Sequence, residues 1–433
     1  MKTNHTDVLI IGGGPAGSTI GTLMKKRGYD VTLLEKGHHP RFHIGESLLP
    51  MNLPILDRLG VLDEVKSIGV VKPGADFTLG NSGSEHQTIH FKEALGESPG
   101  NAFEVRRSEF DHILFRNCEK SGVRALEGFK VNKVQALDNG NHKVTALDDD
   151  GREHQYETRF LVDASGRDTF LSTKNRWKKA NRQHASAAVF GHFTGVKRRP
   201  GSDQGNISIY WFDQGWIWMI PLQDDIMSIG AVSYPEHLRT RSGSLDEFLL
   251  ETLDSVPEIR DRLVGATAVM PAQATGNYSY LSKRMHGPGF LMVGDAFAFI
   301  DPVFSSGVYL AMHGAERGVS VAEAWLSGNR RLYDRACKSY QKEIQRGISN
   351  FSWFIYRFTT PVMKNLFSNP RNDLQVMQAI ISMLAGDVFQ NRKVQRRLWV
   401  FKTIYAVSTL FNWRESSAFR KAHMAQVRAE TKQ

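Results

Sequence analysis

The chain is poor in the residues that staple or anchor a protein. It has 2 cysteines among 433 residues, Cys118 and Cys337, too few for a disulfide framework or a thiolate metal cluster. Both fall in helix-like stretches, where small buried thiols are expected. No apolar run approaches the roughly 18 residues that a membrane helix needs. Internal repeats and low-complexity linkers are lacking. His39 and His43 have i,i+4 spacing, but Pro40 breaks a helix there and no carboxylate completes a set, so no metal is expected. The first residues, Met1-Lys2-Thr3-Asn4, run straight into a short apolar strand without signal-peptide anatomy. The expected location is therefore cytoplasmic.

Hydrophobic residues make up 41% and charged residues 23%, ordinary values for a globular protein with a large core. The length suits two or three domains, or one large elaborated one. Net charge is +10 and unevenly spread. From Arg331 to Gln433 there are 18 Lys and Arg against 6 Asp and Glu, a net of +12, which leaves −2 for the rest. A basic C-terminal part suits an acidic partner, a phosphate-bearing substrate or a plain solvated face. No nucleic-acid recognition motif accompanies it.

The first motif is Gly12-x-Gly14-x-x-Gly17, set between the apolar run Asp7–Ile11 and a helix over Ser18–Arg27. The first glycine permits a tight turn, the second lets backbone approach a pyrophosphate, and the third allows close helix–strand packing. The helix N-terminus then meets the phosphates with free N–H groups. A second strand over Val31–Glu35 ends on Glu35, 18 residues past Gly17 and placed for a ribose diol. Further expected elements are helices at Leu53–Leu59, Ser108–Ser121 and Leu245–Asp254. Strands are expected at Ile207–Phe212, Trp216–Pro221, Met227–Val232 and Gly289–Val293. Beyond Gly307 the pattern is helical: Val308–Leu326, Tyr333–Phe358, Asp373–Leu384 and Val394–Phe411. Asp148-Asp149-Asp150-Gly151 suits a hairpin turn, and the aromatics of Phe351–Tyr356 suit a core helix.

Phe103-Glu104-Val105-Arg106-Arg107, Leu161-Val162-Asp163-Ala164-Ser165-Gly166 and Phe290–Ala296 with its Gly294-Asp295 complete a frame. Together they resemble the glutathione-reductase-type FAD fold of the flavin monooxygenases, over roughly residues 7 to 325. The fold so implied is α/β and Rossmann-like, with an inserted β-sheet substrate region and a helical C-terminal part. Its expected extents are 1–180 and 280–330 for FAD, 181–279 for the sheet and 331–433 for the helices. The resemblance implies FAD contacts from Gly12, Gly14, Ala16, Gly17, Glu35, Lys36, Ser47, Arg106, Asp295, Pro302 and Gly307.

Trp216-Ile217-Trp218-Met219-Ile220-Pro221 fits WxWxIP, and with the FAD frame the chain resembles the flavin-dependent halogenases. Gly45–Pro50 and Leu384–Phe389 are similar to the members acting on phenols, pyrroles and carrier-bound acyl groups. The resemblance implies halogenation of an electron-rich aromatic ring through hypohalous acid. Oxygen, chloride or bromide, and reduced FAD from a partner reductase would be consumed. It implies that Trp216 and Trp218 keep substrate from the flavin and that a lysine in a K-x-G context is catalytic. Lys72-Pro73-Gly74 fits that context, and Lys66 is the competitor without the glycine. Halide binding needs backbone N–H donors, which the Ser305-Ser306-Gly307 turn before a helix supplies. Where tryptophan-halogenating members carry a glutamate, this chain has Phe304. Three rivals share features with this reading: a single-component aromatic hydroxylase, a geranylgeranyl-reductase-type enzyme, and a flavin-binding docking module. Lys72, Trp216 and Trp218 favour halogenation over each.

Overall fold

The structure is a computed structural model, describing residues 3–79, 85–181, 186–239, 241–276, 279–368, 373–414, 416–417 and 419. Thr3–Ile11 is the central strand of the first sheet. It pairs in parallel with Val31–Leu34 on one side and Glu153–Asp163 on the other. Phe290–Met292 and Arg124–Leu126 extend the parallel set outward. Val8, Leu9, Ile10, Val31 and Leu33 are fully buried, as a sheet covered on both faces demands. Helices Pro15–Lys26, Arg107–Lys120 and Ser306–Leu326 are among the elements packed on it. His142–Leu147 and Glu153–Asp163 form the hairpin expected around Asp148, whose Oδ1 accepts from the amides of Asp150 and Arg152. Cys118 and Cys337 are buried free thiols.

The second sheet runs Thr267–Ala268, Ala187–Thr194, Ile226–Ser233, Gly215–Pro221, Ile207–Phe212, Gly74–Leu79 and Glu85–His90. It therefore draws two strands from the segment before residue 91, which was too short and too mixed to be recognised. The period of two decides what each face does. Ile217 and Met219 point into a cluster with Phe248, Leu249 and Leu253 of the helix Leu245–Asp254. Trp216, Trp218 and Ile220 point the other way, into the largest core cluster. That cluster also contains Phe351, Phe354, Ile380 and Leu398 from the C-terminal helices Arg330–Ile355, Val376–Leu384 and Arg392–Phe411. The two sheets and the C-terminal helices thus meet around one region, and the functional residues gather there.

Candidate active site

A cavity of about 1040 Å³ runs from the glycine turn to the tryptophan strand. Gly12, Gly14, Ala16, Glu35 and Lys36 line one end, and Trp216, Trp218, Ser305 and Gly307 line the other. The glycines divide by role. A Cβ on Gly17 would stand 1.9 Å from the Gly12 carbonyl oxygen, so Gly17 serves packing and does not face the cavity. A Cβ on Gly14 would meet nothing within 4 Å. The helix that Gly14 opens has no side-chain cap, leaving its first-turn amides for an anion. Glu35 is buried, accepting from the amides of Gly13 at 2.7 Å and Gly37 at 2.9 Å. Lys36 and Asp168 form an ion pair at the rim.

This supports a sharp expectation about two alanine variants. Gly17→Ala should destabilise the whole fold, because backbone must move to admit the methyl. Gly14→Ala, at φ −74°, should leave the melting temperature unchanged. Its methyl would intrude on bound dinucleotide, an overpacking cost of about 1–3 kcal/mol, or roughly fivefold to 150-fold in FAD affinity. Melting curves and flavin titration check both.

Further along, Asp295 lines the cavity, its carboxyl pushed up to about 6 by burial and pulled back by Arg107 and Arg167. Pro302 also lines it. The expectation for Arg106 needs correction. Arg106 turns outward to Asp224 at 2.8 Å and the Gln223 carbonyl at 2.9 Å. Its neighbour Arg107 is buried on the cavity wall, donating to Asp111 at 2.8 and 3.0 Å and to the Ile44 carbonyl at 3.1 Å. The helix begins at Arg107 with Arg106 as its extended N-cap (φ −66°, ψ 123°), so the two side chains leave the backbone in different directions. His43 also lines the cavity, held well below its usual range at about 4, first by burial and then by Arg107. His39 lies 2.9 Å from Glu127.

At the far end, Trp216 and Trp218 share one face of their strand, with ring centroids 5.8 Å apart. Trp218 donates its indole N–H to Ser228 Oγ at 3.2 Å and leans over Gly230, where a Cβ would stand 2.3 Å from its ring. Ser305 adopts the left-handed conformation (φ 56°) and ends the turn Pro302–Phe304. The long helix Ser306–Leu326 then starts without a side-chain cap, and a Cβ on Gly307 would meet nothing within 4 Å. The turn is therefore an uncapped helix start facing open space, a shape suited to a small anion. Ser306 itself is buried behind the wall and does not line the cavity.

Lys72 ends the short strand Val70–Lys72 and is 1% exposed. Its Nζ donates to Ser47 Oγ at 2.7 Å and the Leu48 carbonyl at 3.1 Å. Ser47 lines the cavity and Lys72 does not, so the amine stands one hydroxyl behind the wall. Glu104, on the neighbouring strand, lies 3.9 Å from Nζ. It was not singled out from the sequence, where it is one acid in a segment noted for its arginines. Lys66 is half exposed and pairs with Asp63 on its own helix, which removes it as the competitor. Phe304 is buried edge-on against Phe358, centroids 5.3 Å apart.

Comparison with known proteins gives these parts their context. The family described as Tryptophan halogenase matches residues 84–367, and that described as NAD(P)-binding Rossmann-like domain matches residues 10–48. The chain belongs to the flavin-dependent halogenases. It is similar to a tryptophan 2-halogenase of Chondromyces crocatus, 36% identical over 75% of this chain and 62% of that protein's length. The chain thus spans under two thirds of that relative. It also resembles the 1H-pyrrole-2-carbonyl-[peptidyl-carrier protein] chlorinase of Pseudomonas fluorescens, 29% identical over 91% of this chain and 92% of that one. Among solved structures, the myxobacterial chondrochloren halogenase aligns with a TM-score of 0.78 and 31% identity, covering 91% of this chain and 96% of that one. FAD is the family's cofactor. The Gly14 cradle, the uncapped first helix and the buried Glu35 fit its pyrophosphate and ribose.

Proposed function

We propose that this halogenase places chlorine or bromine on an electron-rich aromatic ring, a phenol or pyrrole, either free or tethered to a carrier protein. Its FAD would arrive reduced by a separate reductase. Bound FAD, with oxygen and halide, supplies the electrophilic halogen as hypohalous acid. The chain's own residues do the rest. Gly12, Gly14 and Glu35 would hold the dinucleotide, with Arg107 on the wall beside it. The amides of the Ser305–Gly307 turn would bind halide. Trp216 and Trp218 would fill the space through which a substrate could touch the flavin. Lys72 would take hypohalous acid from the cavity and present it to the ring.

The observation that carries this reading is the buried Lys72 amine, hydrogen-bonded to the Ser47 hydroxyl of a residue that lines the cavity. The carrier-bound alternative has support in the +12 charge of residues 331–433 and in the carrier-linked substrate named for the Pseudomonas relative. The described residues contain no helix long and apolar enough to cross a membrane.

The test is mass spectrometry of phenols and pyrroles, free and carrier-tethered, incubated with FAD, a flavin reductase and each halide. Halogen isotope patterns are the expected result. A gain of one oxygen, with NADPH consumed in the absence of the reductase, would replace this reading with the hydroxylase. For tethered substrates, turnover should weaken with added salt, since screening sets in beyond ~10 Å at 0.1 M.

A further inference from the structure

Val70–Lys72 and Ala102–Glu104 pair antiparallel, with Val70 opposite Glu104 and Lys72 opposite Ala102. Lys72 and Glu104 therefore lie on one face as diagonal neighbours, within reach of long side chains. Both are withdrawn from water, at 1% and 0% exposure. An ammonium carries three donors. Two of those on Lys72 are satisfied by Ser47 and Leu48, and the third has no acceptor at hydrogen-bond distance among the described residues. Glu104 is too far to take it, at 3.9 Å, and its carboxylate meets the hydroxyl of Ser47, the same residue that accepts from Lys72. A carboxylate buried this way is costly, and a glutamine would fill the place at less cost. What the acid adds is a negative charge beside the amine.

We propose that Glu104 is the positioning residue for Lys72, keeping it an ammonium so that its one uncommitted N–H can hold the oxygen of hypohalous acid. This rests on the halogenation reading. In that step the ring carbon forms a bond to halogen, the halogen–oxygen bond breaks with its electron pair left on oxygen, and the ring proton ends on that oxygen as water. An ammonium donating to the oxygen draws electron density from it and speeds the transfer, which a neutral amine does less well.

The surrounding charges agree with this division of work. Burial pushes the Lys72 ammonium down from its usual value, and Glu104 is what opposes it. Burial pushes Glu104 up to about 7, Lys72 and a hydrogen bond from Ser47 pull it down, and Glu46 raises it again. Glu46 is itself buried, with His192 Nε2 at 3.0 Å, and Arg107 spends its charge on Asp111. His90, paired with Gly74 in the second sheet, lies against Asp203 at 3.0 Å. Phe91 places its ring 5.4 Å from Nζ, a further weak support for the cation.

The test compares the pH dependence of turnover in wild type, Glu104→Gln and Glu104→Asp, with FAD content as a control. Loss of the charge should move the alkaline limb of Glu104→Gln to lower pH by about one unit or more, while Glu104→Asp keeps the wild-type limb. A uniformly slower Glu104→Gln with an unmoved limb, or a limb moved upward, would overturn the proposal. A second readout needs neither flavin nor the acid's removal. In wild-type protein labelled at lysine Cε, the signal absent from Lys72→Arg should stay at its ammonium position up to about pH 8. A signal titrating below about pH 7 would overturn the proposal even if Glu104→Gln does not fold. Because that titration runs without substrate, it scores Glu104 separately from whether wild-type enzyme halogenates.

Discussion

Lys72→Ala should abolish aromatic halogenation while leaving FAD binding and the release of hypohalous acid unchanged. Lys72 does not line the cavity, and its hydrogen bonds go to Ser47 and Leu48; the Ser47 hydroxyl, expected to contact FAD, remains in the variant. Loss of the lysine should therefore spare whatever happens at the flavin and strike only the transfer that follows. The expected fall in product formation is on the order of 10³-fold, the range in which a positioned acid or donor contributes. Hypohalous acid that finds no lysine should escape, and a scavenger such as a β-diketone in solution would be halogenated in place of the substrate. Product formation within a few-fold of wild type would remove Lys72 from the mechanism. Lys72→Met, closer in volume, controls for the cavity left by alanine. It carries its own expectation for stability. Glu104 sits above the ordinary carboxylate range, so the folded state holds its proton more tightly than the unfolded chain, and stability falls as pH rises through that window. Without the lysine the carboxyl climbs further and the window extends upward. The variant should lose more melting temperature at about pH 8 than at about pH 6.

The parts of this protein most legible in its sequence were those with a strong local period. The apolar first strand, the glycine turn and Glu35 announce one another at fixed spacing, and the structure assembles them around a single cradle. Trp216 and Trp218 are two apart, so any strand must put them on one face, and the period of two carried that conclusion without knowledge of the neighbours. Failures arose where a side chain's direction depends on a single residue of register. Arg106 and Arg107 are chemically alike, and it is the change from extended backbone at Arg106 to helix at Arg107 that separates an outward side chain from an inward one. Lys72 was visible through its K-x-G context, but its partner was not. Glu104 meets it through pairing between strands more than thirty residues apart in sequence, and no local pattern marks such a pairing. Gly74–Leu79 and Glu85–His90 escaped for a related reason. Their place in the second sheet is fixed by a parallel contact with Ile207–Phe212, a long-range event that short mixed strands do not signal.

Phenols and pyrroles should outcompete free tryptophan for this enzyme by a wide margin, and the reason lies at position 304. The resemblance implies that tryptophan-halogenating members carry a glutamate there, able to take a proton from an indole or to balance the cation formed on halogen attack. Phe304 can do neither. Its ring is spent on packing, edge-on to Phe358, which in turn touches Phe77 and Trp211. Two of the nearby acids are already engaged. Asp301 caps its own turn through the Val303 amide at 3.2 Å and accepts from Ser186 at 3.1 Å. Glu104 is committed to Lys72. Glu46 lines the cavity with His192 near one oxygen and no hydrogen-bond partner for the other among the described residues, so Glu46→Gln is the control that the substrate competition needs. The substrate must then bring its own activation, from a phenolate oxygen or a pyrrole nitrogen that pushes electron density into the ring. A missing general base costs about 10²–10⁴-fold, and that is the discrimination expected against an unactivated indole. Competition of tryptophan with phenols and pyrroles, under one reductase and one halide, measures it directly. Phe304→Glu gives the converse arm, since it should raise tryptophan turnover only if the aromatic cluster can open to admit it. Efficient, regioselective halogenation of tryptophan by the wild-type enzyme, with phenols and pyrroles untouched, would show that a carboxylate elsewhere serves the ring and that Phe304 decides nothing about substrate.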